Sequence, residues 1–168
     1  MPLPIQKRSN EEVREWILEF QKGTDSLDTS TLGLFYTEDA TLNYANNETL
    51  VGLKSIVNFF EPIFKLLVSM KHTIKDFGVI GEIIYLTCTI SYTVANDPEN
   101  RVIKLPAAAA FRLLGEEEQE ETFRKGKVGK EDGEWACLRA FEVYLDPGPL
   151  YGRLGEVEKL LQGEGKGA

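Results

Sequence analysis

Histidine occurs once in the 168 residues, cysteine, methionine and tryptophan twice each, and basic residues are outnumbered by acidic ones, 19 to 27. Each scarcity excludes something. A net charge of −8 leaves no basic stripe to neutralise phosphates, which argues against a nucleic-acid surface and against docking on anionic lipid. Cys88 and Cys137 sit in apolar, strand-like runs, where buried free thiols are expected rather than a disulfide. With a single histidine, His72, the chain has too few soft ligands for a zinc cluster unless carboxylates join. Neither a metal nor a cofactor is expected. Nowhere do about 18 apolar residues run together, as a membrane span requires. Met1 to Asn10 is short and polar, without the apolar centre of a leader. A cytoplasmic protein that binds neither nucleic acid nor membrane is therefore expected.

What is present is an ordinary globular composition, 42% hydrophobic and 27% charged, at a length that suits one domain with its own core. That domain is expected over residues 1–162, with 163–168 a disordered tail. Ser9 and Glu12 have capping-box spacing. Val13, Trp16, Ile17 and Phe20 follow as one apolar helical stripe, and Gly23 suits the C-terminal cap. Asp28 or Thr29 is positioned to cap a second, shorter helix carrying Leu32 and Phe35 inward. A third helix is expected from Leu53 to about Ser69, kinked near Asn58 to Pro62 because Pro62 removes a backbone hydrogen bond.

Between the second and third helices, Ala40 to Tyr44 reads as a short strand. After Met70 the apolar period changes from 3.6 to 2. Strands are expected over 70–79, 82–95, 101–114 and 134–145. In the second of these, Ile84, Leu86, Cys88, Ile90, Tyr92 and Val94 share one face, opposite Thr87, Thr89, Ser91 and Thr93. The charged stretch 115–133 reads as a solvated hairpin extension, and Leu150, Leu154, Val157 and Leu161 as the stripe of a C-terminal helix. The expected fold is α+β: a cone-shaped, strongly curved antiparallel sheet packed on three N-terminal helices and enclosing one apolar pocket.

Tyr36-Thr37-Glu38-Asp39-Ala40-Thr41-Leu42, followed by Val51-Gly52 opening the helix at Leu53, resembles the segment typical of SnoaL-like proteins in the nuclear transport factor 2-like superfamily. Met70-Lys71-His72 at the start of the first long strand fits that resemblance, as does the run Phe141 to Pro147. It spans roughly Glu11 to Tyr151. It implies the fold closely and the activity loosely, because the fold hosts isomerases, dehydratases, cyclases, epoxide hydrolases and non-catalytic binders.

The steroid-isomerase pattern of that superfamily places an Asp where this chain reads Leu42-Asn43-Tyr44, and a protonated Asp where it reads Ala107 to Phe111. Both acids are absent. The epoxide-hydrolase pattern needs two acids beside an arginine; Arg139 offers the guanidinium, but no acid pair can be placed with it. The scytalone dehydratase pattern matches at one place, a histidine opening the strand after the third helix, which is His72 here. Its second histidine has no counterpart.

The resemblance implies a cofactor-free acid/base enzyme of isomerase, dehydratase or cyclase type, acting on a small hydrophobic polyketide-, terpenoid- or aromatic-like molecule. His72 would be the general acid/base, with Asp25 and Tyr44 as further catalytic candidates. Trp16, Phe20, Tyr36, Phe60, Cys88, Tyr92, Ala108 and Ala110 are expected around the substrate. The alternative is a non-catalytic small-molecule-binding or scaffold domain, and in either case a homodimer through the outer sheet face is expected. Asp76, four residues along the strand from His72 and so about 13 Å away, is too far to orient its ring. Arg139 is either a buried charge that needs an acid or an anionic ligand, if its face of the strand turns inward, or part of the outer sheet surface, and the outward placement is slightly favoured.

Overall fold

A computed structural model describes residues 5–118, 121 and 138–164. Helix α1 (Asn10–Asp25) starts where the sequence indicates. Ser9 Oγ accepts the Glu12 N–H at 3.2 Å, and the Ser9 N–H donates to Glu12 Oε2 at 2.7 Å. These bonds satisfy two amides that a helix start leaves free, and they hold the Glu12 carboxyl below its ordinary range. Its inner stripe is Val13, Trp16, Ile17, Phe20 and Gln21.

The expected second helix is a short 3-10 segment, Thr29–Leu34, capped by Asp28, whose Oδ1 accepts the Ser30 N–H at 2.9 Å. Strand β1 (Tyr36–Tyr44) begins four residues earlier than expected, and β2 (Leu50–Val51) pairs back on it. Gly52 then turns the chain at φ +87°, a conformation glycine adopts without strain, and opens helix α2 (Leu53–Lys65). This helix is continuous across Pro62 but ends short of the expected Ser69. Sheet pairing takes over there: the Ala95 N–H donates to the Leu66 carbonyl, and Leu67 already pairs with Val94.

Strands β3 (Leu67–Ile80), β4 (Ile83–Val94), β5 (Val102–Leu113) and β6 (Leu138–Tyr144) complete the sheet. The strand order is β2-β1-β6-β5-β4-β3. All neighbours are antiparallel except β1 and β6, which run parallel. The sheet is thus mixed, not antiparallel throughout. The period-2 pattern shows that β1 is a strand but carries no information about which partner it chooses.

Register shifts interrupt the ladders at Tyr36/Thr41, Leu67/Ser69, Ile74/Asp76 and Arg112/Leu113. Such bulges bend a strand and increase its twist, and the sheet is curved but unclosed. Its concave face buries Ile84, Leu86, Cys88, Ile90, Tyr92 and Val94 of β4 and Leu105, Ala107, Ala109, Phe111 and Leu113 of β5. The expected β4 face is the one found.

Helix α3 (Gly148–Glu164) lies against β4 and β5 and extends two residues into the expected tail. It buries Leu150 and Val157, with Arg153 between them. Arg153 makes a two-pronged ion pair with Asp97 of the β4–β5 turn, Nε to Oδ2 at 2.9 Å and Nη2 to Oδ1. Asp97 also accepts the Glu99 and Arg101 N–H groups at 2.9 and 3.2 Å. A buried charge needs this degree of pairing, and the pairing fastens α3 to the sheet. The charged stretch 115–133, apart from its first residues, and the start of the last expected strand (134–137, with Cys137) lie outside the described residues. Among the described residues, no helix is long and apolar enough to cross a membrane.

Candidate functional site

Two aromatic groups face each other across the concave side of the sheet. Phe20 of α1 packs edge-on against Phe111 and Phe141, with centroids 5.2 and 5.4 Å away. Opposite them, Phe60 stacks on Phe64 within α2 and meets Tyr44 of β1 at 5.8 Å. Between the groups is a cavity of about 60 Å³. Leu86, Cys88, Ile90 and Tyr92 of β4 and Ala107 and Ala109 of β5 form its floor, while Leu150 and Tyr151 of α3 close one side.

His72 of β3 lines this cavity, and Asp25, the last residue of α1, contacts His72. Asp25 Oδ1 lies 2.6 Å from His72 Nδ1, and Oδ2 accepts the His72 backbone N–H at 3.0 Å. An ionised carboxylate only accepts hydrogen bonds. Nδ1 therefore carries the proton, leaving Nε2 with its lone pair whenever the ring is neutral. Side-chain exposures of 15% for His72 and 22% for Asp25 place the pair at the rim, where a charge-assisted bond outweighs an exposed one.

The remaining polar groups are few. Tyr44 and Tyr92 are neutral phenols: burial pushes Tyr44 up to about 12, with Tyr151 adding to the shift and the Tyr92 hydroxyl opposing it. Burial pushes Tyr92 higher still, with Tyr44, Cys88 and Tyr151 adding to it. Cys88 is a buried free thiol pushed up to about 11, mainly by burial, which makes it a wall and not a nucleophile. Thr24 Oγ1 is occupied by the Phe20 carbonyl at 2.8 Å. Gln21 Nε2 is buried and has no hydrogen-bond partner among the described residues.

Of the residues singled out from the sequence, His72, Tyr44, Phe20, Phe60, Cys88 and Tyr92 come together around this cavity, with Asp25 behind His72. Trp16 and Tyr36 do not reach it: both are buried in the core beneath, stacked on or tilted against Phe20. Ala108 and Ala110 are corrections. They point to the opposite sheet face and flank an open groove with Tyr85 and Tyr144, while Ala107 and Ala109 line the cavity. The register of Phe111 and Leu113, two large residues at odd positions, carried that signal.

Gln21 and Tyr151 were missed. Gln21 lies four residues after Ile17 on the inner stripe of α1, a spacing that marks an inward side chain whatever its polarity. Asp76 is exposed, accepting its neighbour's N–H, and Arg139 pairs with Glu118 away from the cavity.

No family model and no curated protein matches the sequence. Solved structures do. A protein assigned as a SnoaL-like polyketide cyclase from Jannaschia sp. CCS1 superposes with a TM-score of 0.61 at 12% identity, covering 86% of this chain and 94% of its own. The fold is that of the SnoaL-like, nuclear transport factor 2-like proteins. A protein of ketosteroid isomerase-like fold from Catenulispora acidiphila DSM 44928 matches with a TM-score of 0.61 at 13% identity over 84% of this chain and 92% of that one. The epoxide hydrolase/cyclase-like enzyme SalBIII, of pyran ring formation in salinomycin, matches at 0.58 and 13% over 82% and 93%. At such identities the SnoaL-like fold is what is shared, and chemistry has to be argued from the side chains.

Proposed function

We propose that the chain is a cofactor-free acid/base enzyme of isomerase, dehydratase or cyclase type whose substrate is a small, largely apolar molecule bearing oxygen. The observation that carries this reading is the Asp25–His72 hydrogen bond at the rim of an apolar cavity. His72 Nε2 accepts a proton from the substrate, and Asp25 stabilises the imidazolium that forms. The same nitrogen then returns the proton to another substrate atom. Asp25 acts through His72 as a positioning residue, and the hydrogen-bonded Tyr44–Tyr92 pair keeps one hydroxyl proton with which to hold an oxygen. The aromatic walls keep water out, which strengthens each of these interactions. Two of the similar structures are named for ring formation, a reaction class that needs little beyond such a proton shuttle.

Proton abstraction can be tested without knowing the substrate. Small cyclic ketones and enones incubated with the protein in D2O should take up deuterium next to the carbonyl, followed by NMR. Replacing His72 by Gln should slow the exchange by about 10²-fold or more. Saturable binding of the same ketones with no catalysed exchange would instead favour a non-catalytic binding domain.

A further inference from the structure

The inner stripe of α1 is apolar at Val13, Trp16, Ile17 and Phe20, and then carries Gln21. This glutamine is only 4% exposed, lines the cavity, and finds no hydrogen-bond partner for Nε2 among the described residues. A buried donor left unpaired is destabilising, and leucine or methionine would occupy the same helix position without that cost. Trp16 Nε1 and Thr37 Oγ1 are likewise unpaired, but neither residue lines the cavity. Among the described residues, Gln21 is thus the cavity-lining residue with a buried, unpaired donor.

We propose that Gln21 is the recognition residue for an acceptor oxygen of the ligand, a carbonyl in the first instance. An amide N–H donor selects an oxygen lone pair and rejects a hydrocarbon of the same shape, because the donor then stays unpaired. The cavity's apolar walls suit the rest of such a molecule; because 60 Å³ is well below the roughly 150 Å³ that takes up benzene, a compact ring is the largest group that can enter, and it enters only as the walls yield. This inference rests on the reading that the cavity receives a ligand, and it concerns binding, not proton transfer.

The test uses cyclopentanone and methylenecyclopentane, which share shape and differ in C=O against C=CH2, titrated into ¹⁵N-labelled protein by NMR. The ketone should bind wild type roughly tenfold more tightly, the value of one hydrogen bond to a buried donor. It should also shift the Gln21 side-chain amide signal. In Gln21→Met, a helix former of similar volume, the ratio should fall to about one, and the unliganded thermal midpoint should be no lower than wild type. In His72→Gln the ratio should persist.

Equal affinity for the two probes in wild type, or entry of neither, would overturn the proposal. So would a preference that survives in Gln21→Met, or a marked loss of stability in that variant, which would make Gln21 a structural residue. A preference lost only in His72→Gln would place the oxygen at His72, overturning the role of Gln21 while leaving the acid/base reading intact.

Discussion

Replacing Asp25 by Asn changes one atom of the site and should separate positioning from folding. The carboxylate accepts two hydrogen bonds from His72, at 2.6 Å from Nδ1 and 3.0 Å from the backbone N–H. Asparagine has one acceptor and one donor in the same space. If its oxygen keeps the backbone N–H, its NH2 faces Nδ1, and the ring must move its proton to Nε2, blocking the base. A hydrogen bond to a charged group contributes about 1.5–3 kcal/mol, and each 1.4 kcal/mol is tenfold. The deuterium exchange rate should therefore fall by about 10- to 100-fold, with probe affinity nearly unchanged. A stability loss of about 1–2 kcal/mol should accompany it, since the bond also ties α1 to β3. The assay is exchange rate against probe concentration, with urea unfolding alongside. Wild-type exchange in a variant that has lost that stability would show that the Asp25 contact is purely structural.

Three further outcomes follow from the contacts described above. Thr37→Val deletes a buried hydroxyl with no partner among the described residues while keeping the strand-favouring shape, and should raise the urea-unfolding free energy by about 1 kcal/mol; a loss would mean that the hydroxyl is satisfied in solution. The Arg153 guanidinium holds the Asp97 carboxyl well below the usual carboxylate range. Its contribution is thus complete above the ordinary Asp value of about 3.9 and is lost as pH falls toward the depressed folded value. Wild type should lose thermal stability over roughly pH 5 to 2 more steeply than Asp97→Asn, and equal slopes would contradict the assignment. Cys88, pushed up to about 11 by burial, should resist iodoacetamide at pH 8 in the native protein and react in urea, as read by peptide mass mapping; rapid native labelling would show an open cavity.

Much of the fold is legible in the sequence because it is local. The capping box at Ser9 and Glu12 fixes the start of α1, and strict alternation from Ile84 to Val94 fixes both the strand and its buried face. The parallel pairing of β1 with β6 is not local, and no pattern within Tyr36 to Tyr44 encodes it. The same limit applies to the site. His72 and Asp25 are 47 residues apart, and their pairing exists only because the end of α1 packs against β3. No local pattern around Asp25 marks it as the partner of His72, whereas Asp28, three residues on, takes the local role of helix cap. Arg153 sits inside an apolar helical stripe, and the turn aspartate that neutralises it, Asp97, is 56 positions away. Ala108 and Ala110 depart from the expectation for a different reason: Phe111, buried on the concave face, sets the parity of β5, so the even-numbered alanines face outward.

His72 is the only histidine, so one side chain gives the whole imidazole signal in a long-range ¹H–¹⁵N spectrum of the labelled protein. At a pH high enough to leave the ring neutral, the account predicts the proton on Nδ1 and a bare Nε2, with this tautomer lost in Asp25→Asn. A proton on Nε2 in the wild-type protein would contradict it, because the nitrogen assigned as base would then have no lone pair to offer.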